Sequence, residues 1–255
     1  MVKGEKSLID DNRILVAKMR DKEKICRVKN KITYTGFLDM YQKSVLKKEL
    51  KEDNYIVFGG YDGAERELIL FYPDKIDKTV AKNYFGSLLK VVRISLPNDL
   101  KGEYEHRIYL SGMMKLGIER EKFGDIIVSP NGADIVVFED LARFIKDSLG
   151  GLKRFSKSEI EIIDLSEISN RVDEYESFSI IVPSMRIDCF VSEIGRVSRS
   201  RASEFIKENR VFINQELVFK ESRSVGIGDI LTIRGKGKFI IDSIERETGK
   251  RENCS

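Results

Sequence analysis

Between residues 185 and 239 the spacing of apolar residues changes from helical to strand-like, which constrains the fold more than any other stretch. Ile187, Phe190, Val191 and Ile194 recur at i, i+3, i+4 and i+7, one buried helical face. Gly195 is placed to end that helix. Ser198 is a good N-cap for a second one, with Ala202, Phe205 and Ile206 turned inward. Strands follow: Val211-Phe212-Ile213 leads into an Asn214-Gln215 turn, and 226–229 form another turn. Residues 230–234 and 238–241 then flank Gly235-Lys236-Gly237. The reading is a compact helix–helix–strand module over 185–244, with a polar tail at 245–255.

Charge within this module is placed against a local rule. Arg196, Arg199 and Arg201 crowd the start of the second helix, where cations oppose the dipole at a cost of roughly a few tenths of a kcal/mol each. The unpaired N–H groups there favour an anion instead, and a phosphate backbone would resolve the conflict. Lys207 and Arg210 extend the run. Lys220, Arg234, Lys236 and Lys238 join it if the turns of the sheet fold toward the same face. The whole chain carries a formal charge of only +3, so basic character must be local. Glu193, Glu204 and Glu208 are interspersed, and charge alone leaves an RNA-binding face and a plain solvated face equally open.

Upstream, residues 5–26 carry Leu8, Ile9, Leu15, Val16 and Met19 near helical spacing. A second helix is expected to start near Phe37-Leu38-Asp39 and to run through Val45, Leu46 and Leu50. Residues 54–60 and 67–72 read as strands, joined through Gly59-Gly60-Tyr61-Asp62-Gly63. No GK[ST] follows those glycines, so they suit a hairpin rather than a phosphate loop. This gives a helix–helix–hairpin α+β domain over 1–78.

The middle third reads as a strand at 88–96 and a helix at 103–117 bearing Tyr109, Leu110, Met113, Met114 and Leu116. A hairpin of 124–128 with 133–138 follows. A helix at 139–149 should turn Leu141, Phe144, Ile145 and Leu149 to the core and stop at Gly150-Gly151. With a last strand at 158–165, the order is βαββαβ, a ferredoxin-like (RRM-like) domain over 79–165. Residues 166–184 are a Ser- and Glu-rich connector whose apolar 178–182 should pack on a neighbour. The fold class is α+β throughout.

Cys26, Cys189 and Cys254 are too sparse and too far apart for a disulfide framework or a structural zinc site. Cys189, among apolar residues, suits a buried thiol. No cofactor and no metal are expected. The charged start of the chain and the lack of a run near ~18 apolar residues point to a cytoplasmic protein with no membrane partner.

Four motifs in the C-terminal module carry a resemblance. R-x-D at Arg186 and Asp188, S-R-S-R-A from Ser198 to Ala202, V-x-I-N from Val211 to Asn214 and G-D-x-L-x-I-R-G from Gly228 to Gly235 resemble the αL RNA-binding domain. That module is shared by the bacterial small-subunit ribosomal protein S-four, tyrosyl-tRNA synthetases and pseudouridine synthases. The resemblance implies that the second helix and the loop before it face structured RNA. Arg186, Arg199 and Arg201 are then the strongest contacts, with Arg196, Ser198, Ser200, Lys207, Arg210, Lys236 and Lys238 around them. Contacts of this kind position a phosphate backbone rather than read sequence, and folded RNA is recognised by shape. Gln215 departs from the family, which usually has Gly in that turn, at a cost of up to ~1 kcal/mol.

The remaining residues separate the possible owners of such a module. A tyrosyl-tRNA synthetase needs a HIGH motif and a KMSKS loop. Arg154-Phe155-Ser156-Lys157-Ser158 superficially matches the second, but the sole histidine is His106, in EHRIY, so RFSKS reads as a chance loop. A pseudouridine synthase needs Asp in a G-R-x-D context, which His106-Arg107-Ile108-Tyr109 does not supply. The whole chain instead resembles the YlmH family. The supporting stretches are Phe37-Leu38-Asp39, Gly59-Gly60-Tyr61 with Ala64-Glu65-Arg66, His106-Arg107, and Leu116-Gly117-Ile118 with Arg120, Lys122 and Gly124-Asp125-Ile126.

That resemblance implies a non-enzymatic protein, a monomer off the ribosome. It implies binding to ribosomal and transfer RNA on the large ribosomal subunit bearing peptidyl-tRNA, in rescue of stalled translation. Genes of the family sit among cell-division genes. His106, Arg107, Lys115, Arg120 and Lys122 form a possible second patch, open between RNA or protein contact and solvation. Two other functions stay in view: an RNA-modifying enzyme of pseudouridine-synthase type using His106 and Asp125, and a cell-division scaffold using the N-terminal domain.

Overall fold

The computed structural model describes residues 3–50, 54–168 and 176–245. The polar tail beyond Glu245, with Cys254, and residues 169–175 of the connector lie outside the described residues. The chain forms two compact units, Met1–Glu174 and Tyr175–Ser255.

In chain order the first unit contains α1 (Lys3–Lys29), β1 (Thr33–Tyr34), α2 (Met40–Lys47), β2 (Tyr55–Phe58), β3 (Leu68–Phe71), α3 (Lys78–Asn83) and α4 (Phe85–Leu88). It continues with β4 (Leu89–Ser95), α5 (His106–Lys115), β5 (Phe123–Ser129), β6 (Gly132–Phe138), α6 (Glu139–Gly150) and β7 (Glu159–Ile163). Short 3-10 turns cover Asn98–Leu100, Arg120–Lys122 and Leu165–Glu167.

The first three strands make an antiparallel sheet in the order β1-β3-β2. β3 is buried at all four positions, because both of its faces are covered. Ile69 and Phe71 pack with Met19 of α1 and Leu46 of α2, while Leu68 and Leu70 pack on the opposite side with Val136 and Phe138 of β6. The second helix starts later than expected. Phe37 and Leu38 are extended, Leu38 bridging to Glu67, and Asp39 caps α2 through a reciprocal pair of hydrogen bonds with Gln42, both 2.9 Å. Phe37 is thereby released into the core.

The larger sheet has the order β5-β6-β4-β7, all antiparallel, which is the ferredoxin-like arrangement. α5 and α6 bury Tyr109, Met113, Ala142, Ile145 and Leu149 against Val92, Ile94, Ile135 and Val137 on one face. Phe144, expected in this core, is instead 50% exposed, and Met114 of α5 is 51% exposed. The buried stripe of α6 runs through Ala142, Ile145 and Leu149, and Phe144 lies beside it. α5 begins at His106 rather than at 103. α6 runs through Gly150, and Gly151 caps it in a right-handed conformation.

The second unit holds α7 (Ile187–Gly195), α8 (Arg199–Lys207), β8 (Val211–Ile213), β9 (Glu216–Leu217), β10 (Ile230–Ile233) and β11 (Gly237–Ile240). The strands form one antiparallel sheet, β11-β10-β8-β9. Ile187, Phe190 and Val191 of α7 and Ala202, Phe205 and Ile206 of α8 close over Ile213, Leu231 and Ile233. Ile180 and Val182 of the connector pack on the same core. Among the described residues no helix is long and apolar enough to cross a membrane.

Candidate nucleic-acid interface

The corner between α7 and α8 is built by a hydrogen-bonded reversal. Val197 N–H donates to the Ser192 carbonyl (3.0 Å), and the Ser192 hydroxyl donates to the Val197 carbonyl (2.7 Å). Closing the chain this way forces the residue between Gly195 and Val197 into the left-handed region. That residue is Arg196, at φ 48° and ψ 51°. Glycine usually fills such a position, and a side chain there costs about 1 kcal/mol. Gly195, expected to end the helix, is its last helical residue, and Arg196 takes the strained place. Ser198 then caps α8, its hydroxyl accepting from the Arg201 N–H (3.2 Å).

The conflict between α8 and its arginines is met in part by Asp188, in the first turn of α7. Its Oδ1 and Oδ2 accept from Arg186 Nε and Nη2 (3.0 and 3.1 Å), and Oδ2 accepts from Arg199 Nη2 (2.8 Å). Asp188 is 4% exposed. Burial pushes its carboxyl pKa up, but the hydrogen bonds and charges of Arg186 and Arg199 outweigh that and hold it below the usual aspartate value. Both arginines stay on the surface, with side chains 46% and 55% exposed, so each keeps donors for a second anion. Arg199 also approaches Cys189 Sγ at 3.2 Å; Cys189 is buried, as expected of an inert thiol.

On the other flank of α8, Arg201 pairs with Glu204 and Glu208, and its guanidinium lies 5.0 Å from the Phe205 ring centroid. Arg210 covers the same ring at 4.1 Å and donates to the Arg234 carbonyl (2.7 Å). That bond holds the Gly235-Lys236-Gly237 turn beside Arg210, and Lys236 is exposed on it. Lys207 pairs instead with Glu221 at 3.9 Å, and Lys238 is exposed on β11. The solvent face of α8 toward its C-terminus carries Glu204 and Glu208, so the positive end is its N-terminus: Arg196, Ser198, Arg199, Ser200 and Arg201 with Arg186 beside them. Among the described residues no carboxylate pairs with Arg196.

The second group of basic residues is differently arranged. Arg120 turns inward, donating to the Phe123 and Gly124 carbonyls (2.9 and 2.8 Å) and lying 4.3 Å over the Phe123 ring. Desolvation, then the charge of Arg66, lowers its pKa to about 10. A bulge in β5 between Phe123 and Ile126 aims Asp125 at the 61–66 turn. There Asp125 accepts from Tyr61 Oη (2.8 Å) and from the N–H groups of Glu65 (2.7 Å) and Arg66 (3.0 Å). His106 lies on the surface at the start of α5; desolvation of its ring, then Arg120, holds its pKa below the ordinary histidine value. Arg107, Lys115 and Lys122 are exposed.

Residues 72–167 match the family described as "Putative RNA-binding domain in YlmH", and residues 185–231 match the S4 domain. The chain is 30% identical over 242 residues to "Ribosome-associated protein quality control protein P2" of Bacillus subtilis (strain 168), covering 94% of this chain and 92% of that protein. The chain belongs to the YlmH family. Among solved structures, "Cell division protein ylmH from Streptococcus pneumoniae" is similar at a TM-score of 0.46 and 20% identity, over 66% of this chain and 96% of that one. The S4 match covers α7, α8 and the Asp188 clamp and ends before Lys236 and Lys238. The YlmH match covers β4 to β7 and every member of the second basic group.

Two organising sets of contacts are not legible in the sequence. Asp188 was visible as R-x-D, but its partner Arg199 lies eleven residues on. Arg66 donates to the Phe37 and Arg120 carbonyls (2.9 and 3.1 Å), contacts between distant segments that spacing does not reveal.

Proposed function

We propose that this chain is a non-enzymatic RNA-binding protein of the large ribosomal subunit, contacting ribosomal and transfer RNA in rescue of stalled translation. The observation that carries the reading is the Asp188 clamp, which holds Arg186 and Arg199 with exposed guanidinium edges beside the strained Arg196. Fixed, half-exposed arginines at a helix N-terminus suit phosphates presented by a rigid RNA fold. The relative named for ribosome-associated quality control supports the setting, and both matched domains support binding rather than chemistry. Asp125, with both oxygens engaged by the 61–66 turn, suits a brace better than a catalytic acid or base.

The test is sucrose-gradient sedimentation of the full chain from lysate at low and high salt, beside an Arg199→Ala/Arg201→Ala variant. The wild type should travel with the large subunit at low salt and leave it at high salt, and the variant should stay at the top. Wild-type protein at the top of every gradient overturns the reading.

A further inference from the structure

An RRM offers the open face of its sheet to bases through aromatic side chains. In this protein that face is taken. Leu89, Val136 and Phe138 pack against Phe37, Leu68 and Leu70, and a Cβ added at Gly60 would lie 2.9 Å from Val136. Further along, Arg93 pairs in a fork with Asp134 (2.8 Å twice) and donates to the Glu167 carbonyl (2.8 Å). RNA reaching this unit must therefore come to its edges or its helical side.

On the helical side, the loop between α6 and β7 is braced. Leu152, Phe155 and Ser158 donate their N–H groups to the carbonyls of Leu149, Leu152 and Phe155 (3.0, 2.8 and 2.9 Å). The Ser156 hydroxyl donates to the Lys153 carbonyl (2.9 Å), and Tyr104 Oη donates to the Arg154 carbonyl (2.8 Å). Phe155 is buried against Tyr104 and Tyr109, at centroid distances of 6.0 and 5.9 Å. It sits so close to α5 that a Cβ at Gly112 would meet its ring at 2.7 Å. The loop is nailed down by its one aromatic residue while its cations face outward.

We propose that this loop is a second phosphate-binding surface for structured RNA, formed by Lys153, Arg154 and Lys157. It rests on the RNA-binding reading above and adds a contact in the other unit. All three side chains are exposed, and among the described residues no carboxylate pairs with them. Glu159 follows on β7, and Glu105, near Tyr104, is drawn to Arg107 at 3.7 Å. A fixed backbone lowers the ordering cost of presenting three cations to a phosphate run. The resemblance of RFSKS to a nucleotide-handling loop thus has a different physical basis: spaced cations around a buried ring.

The test uses the full chain with Lys153→Gln, Arg154→Gln and Lys157→Gln together, beside Arg199→Ala/Arg201→Ala. Binding is measured from low to high salt on purified large ribosomal subunits and on their deproteinised ribosomal RNA. The triple variant should bind both probes on the order of tenfold more weakly, with the salt slope reduced by about 2 to 3, one for each lost phosphate contact. Wild-type affinity and slope in the triple variant, with loss in the double variant, would overturn the loop and leave the main reading standing. Loss on subunits but not on naked RNA would make the loop a protein contact and overturn it equally. If neither variant changes binding, the RNA-binding reading itself fails.

Discussion

Asp188 and Asp125 each lie beside two arginines, and the chain uses them in opposite ways. Asp188 accepts from the guanidinium groups of Arg186 and Arg199 and holds both at the surface. Asp125 accepts from a hydroxyl and two backbone N–H groups, while Arg66 and Arg120 spend their donors on carbonyls in a covered seam. One aspartate presents charge; the other joins the N-terminal sheet to the ferredoxin-like sheet. The number of arginines in a stretch is therefore a weak guide to a binding face. What separates the two sites is where the remaining donors point.

The contrast can be broken at its stronger end first. Asp125→Ala removes three hydrogen bonds to a carboxylate and leaves N–H groups in the seam unpaired, so it should cost about 3 kcal/mol or more. Urea unfolding would check this, and an unchanged midpoint would refute the seam.

Asp188→Asn should cost less, about 1–2 kcal/mol, because both arginines are half in water. Its effect on RNA is the sharper test. Deleting a negative charge should tighten binding by simple electrostatics, whereas loss of the clamp should weaken it. A salt titration of RNA affinity decides the sign. The pH dependence follows from the lowered Asp188 pKa. Its contribution is complete above the unfolded value of ~3.9 and is lost as pH falls through the lower folded value. The stability gap between wild type and Asp188→Asn should therefore shrink on going from pH 7 to about pH 3.

The smallest effects concern two left-handed residues. Arg196→Gly and Gln215→Gly should each stabilise by up to ~1 kcal/mol, since φ is 48° at one and 65° at the other. Only Arg196→Gly should also weaken RNA binding. Equal binding by both variants would make Arg196 a strained corner and nothing more.

Much of this arrangement was legible in the residues. The i, i+3, i+4, i+7 spacing of Ile187, Phe190, Val191 and Ile194 gave α7, and Ser198 marked the start of α8. The βαββαβ order followed from alternating apolar runs and turns. β1 was missed because two residues, Thr33 and Tyr34, hold no periodicity and pair only through β3. Phe37 was assigned to a helix because apolar residues follow it at helical spacing, whereas the Asp39–Gln42 cap sets the real start. Phe144 looked like core because it adjoins Ile145, and a one-position difference on a helix is a rotation of about 100°. Asp188 was the hardest to see, since a clamp is defined by a side chain arriving from another helix.

The two-sided burial of β3 has a consequence during synthesis. Leu68 and Leu70 leave the ribosome before Val136 and Phe138, their partners on β6, have been made. The interval is roughly 65 residues, or about 3–13 s at 5–20 residues per second. For that time the second face of this apolar strand has only Phe37 and, once they are made, Phe85 and Leu88 to pack with. Its own α1 and α2 can shield Ile69 and Phe71 at once, but complete closure of the other face waits for β6. A chain interrupted within this interval leaves that face incompletely covered, so closure of the N-terminal sheet is tied to completion of β6.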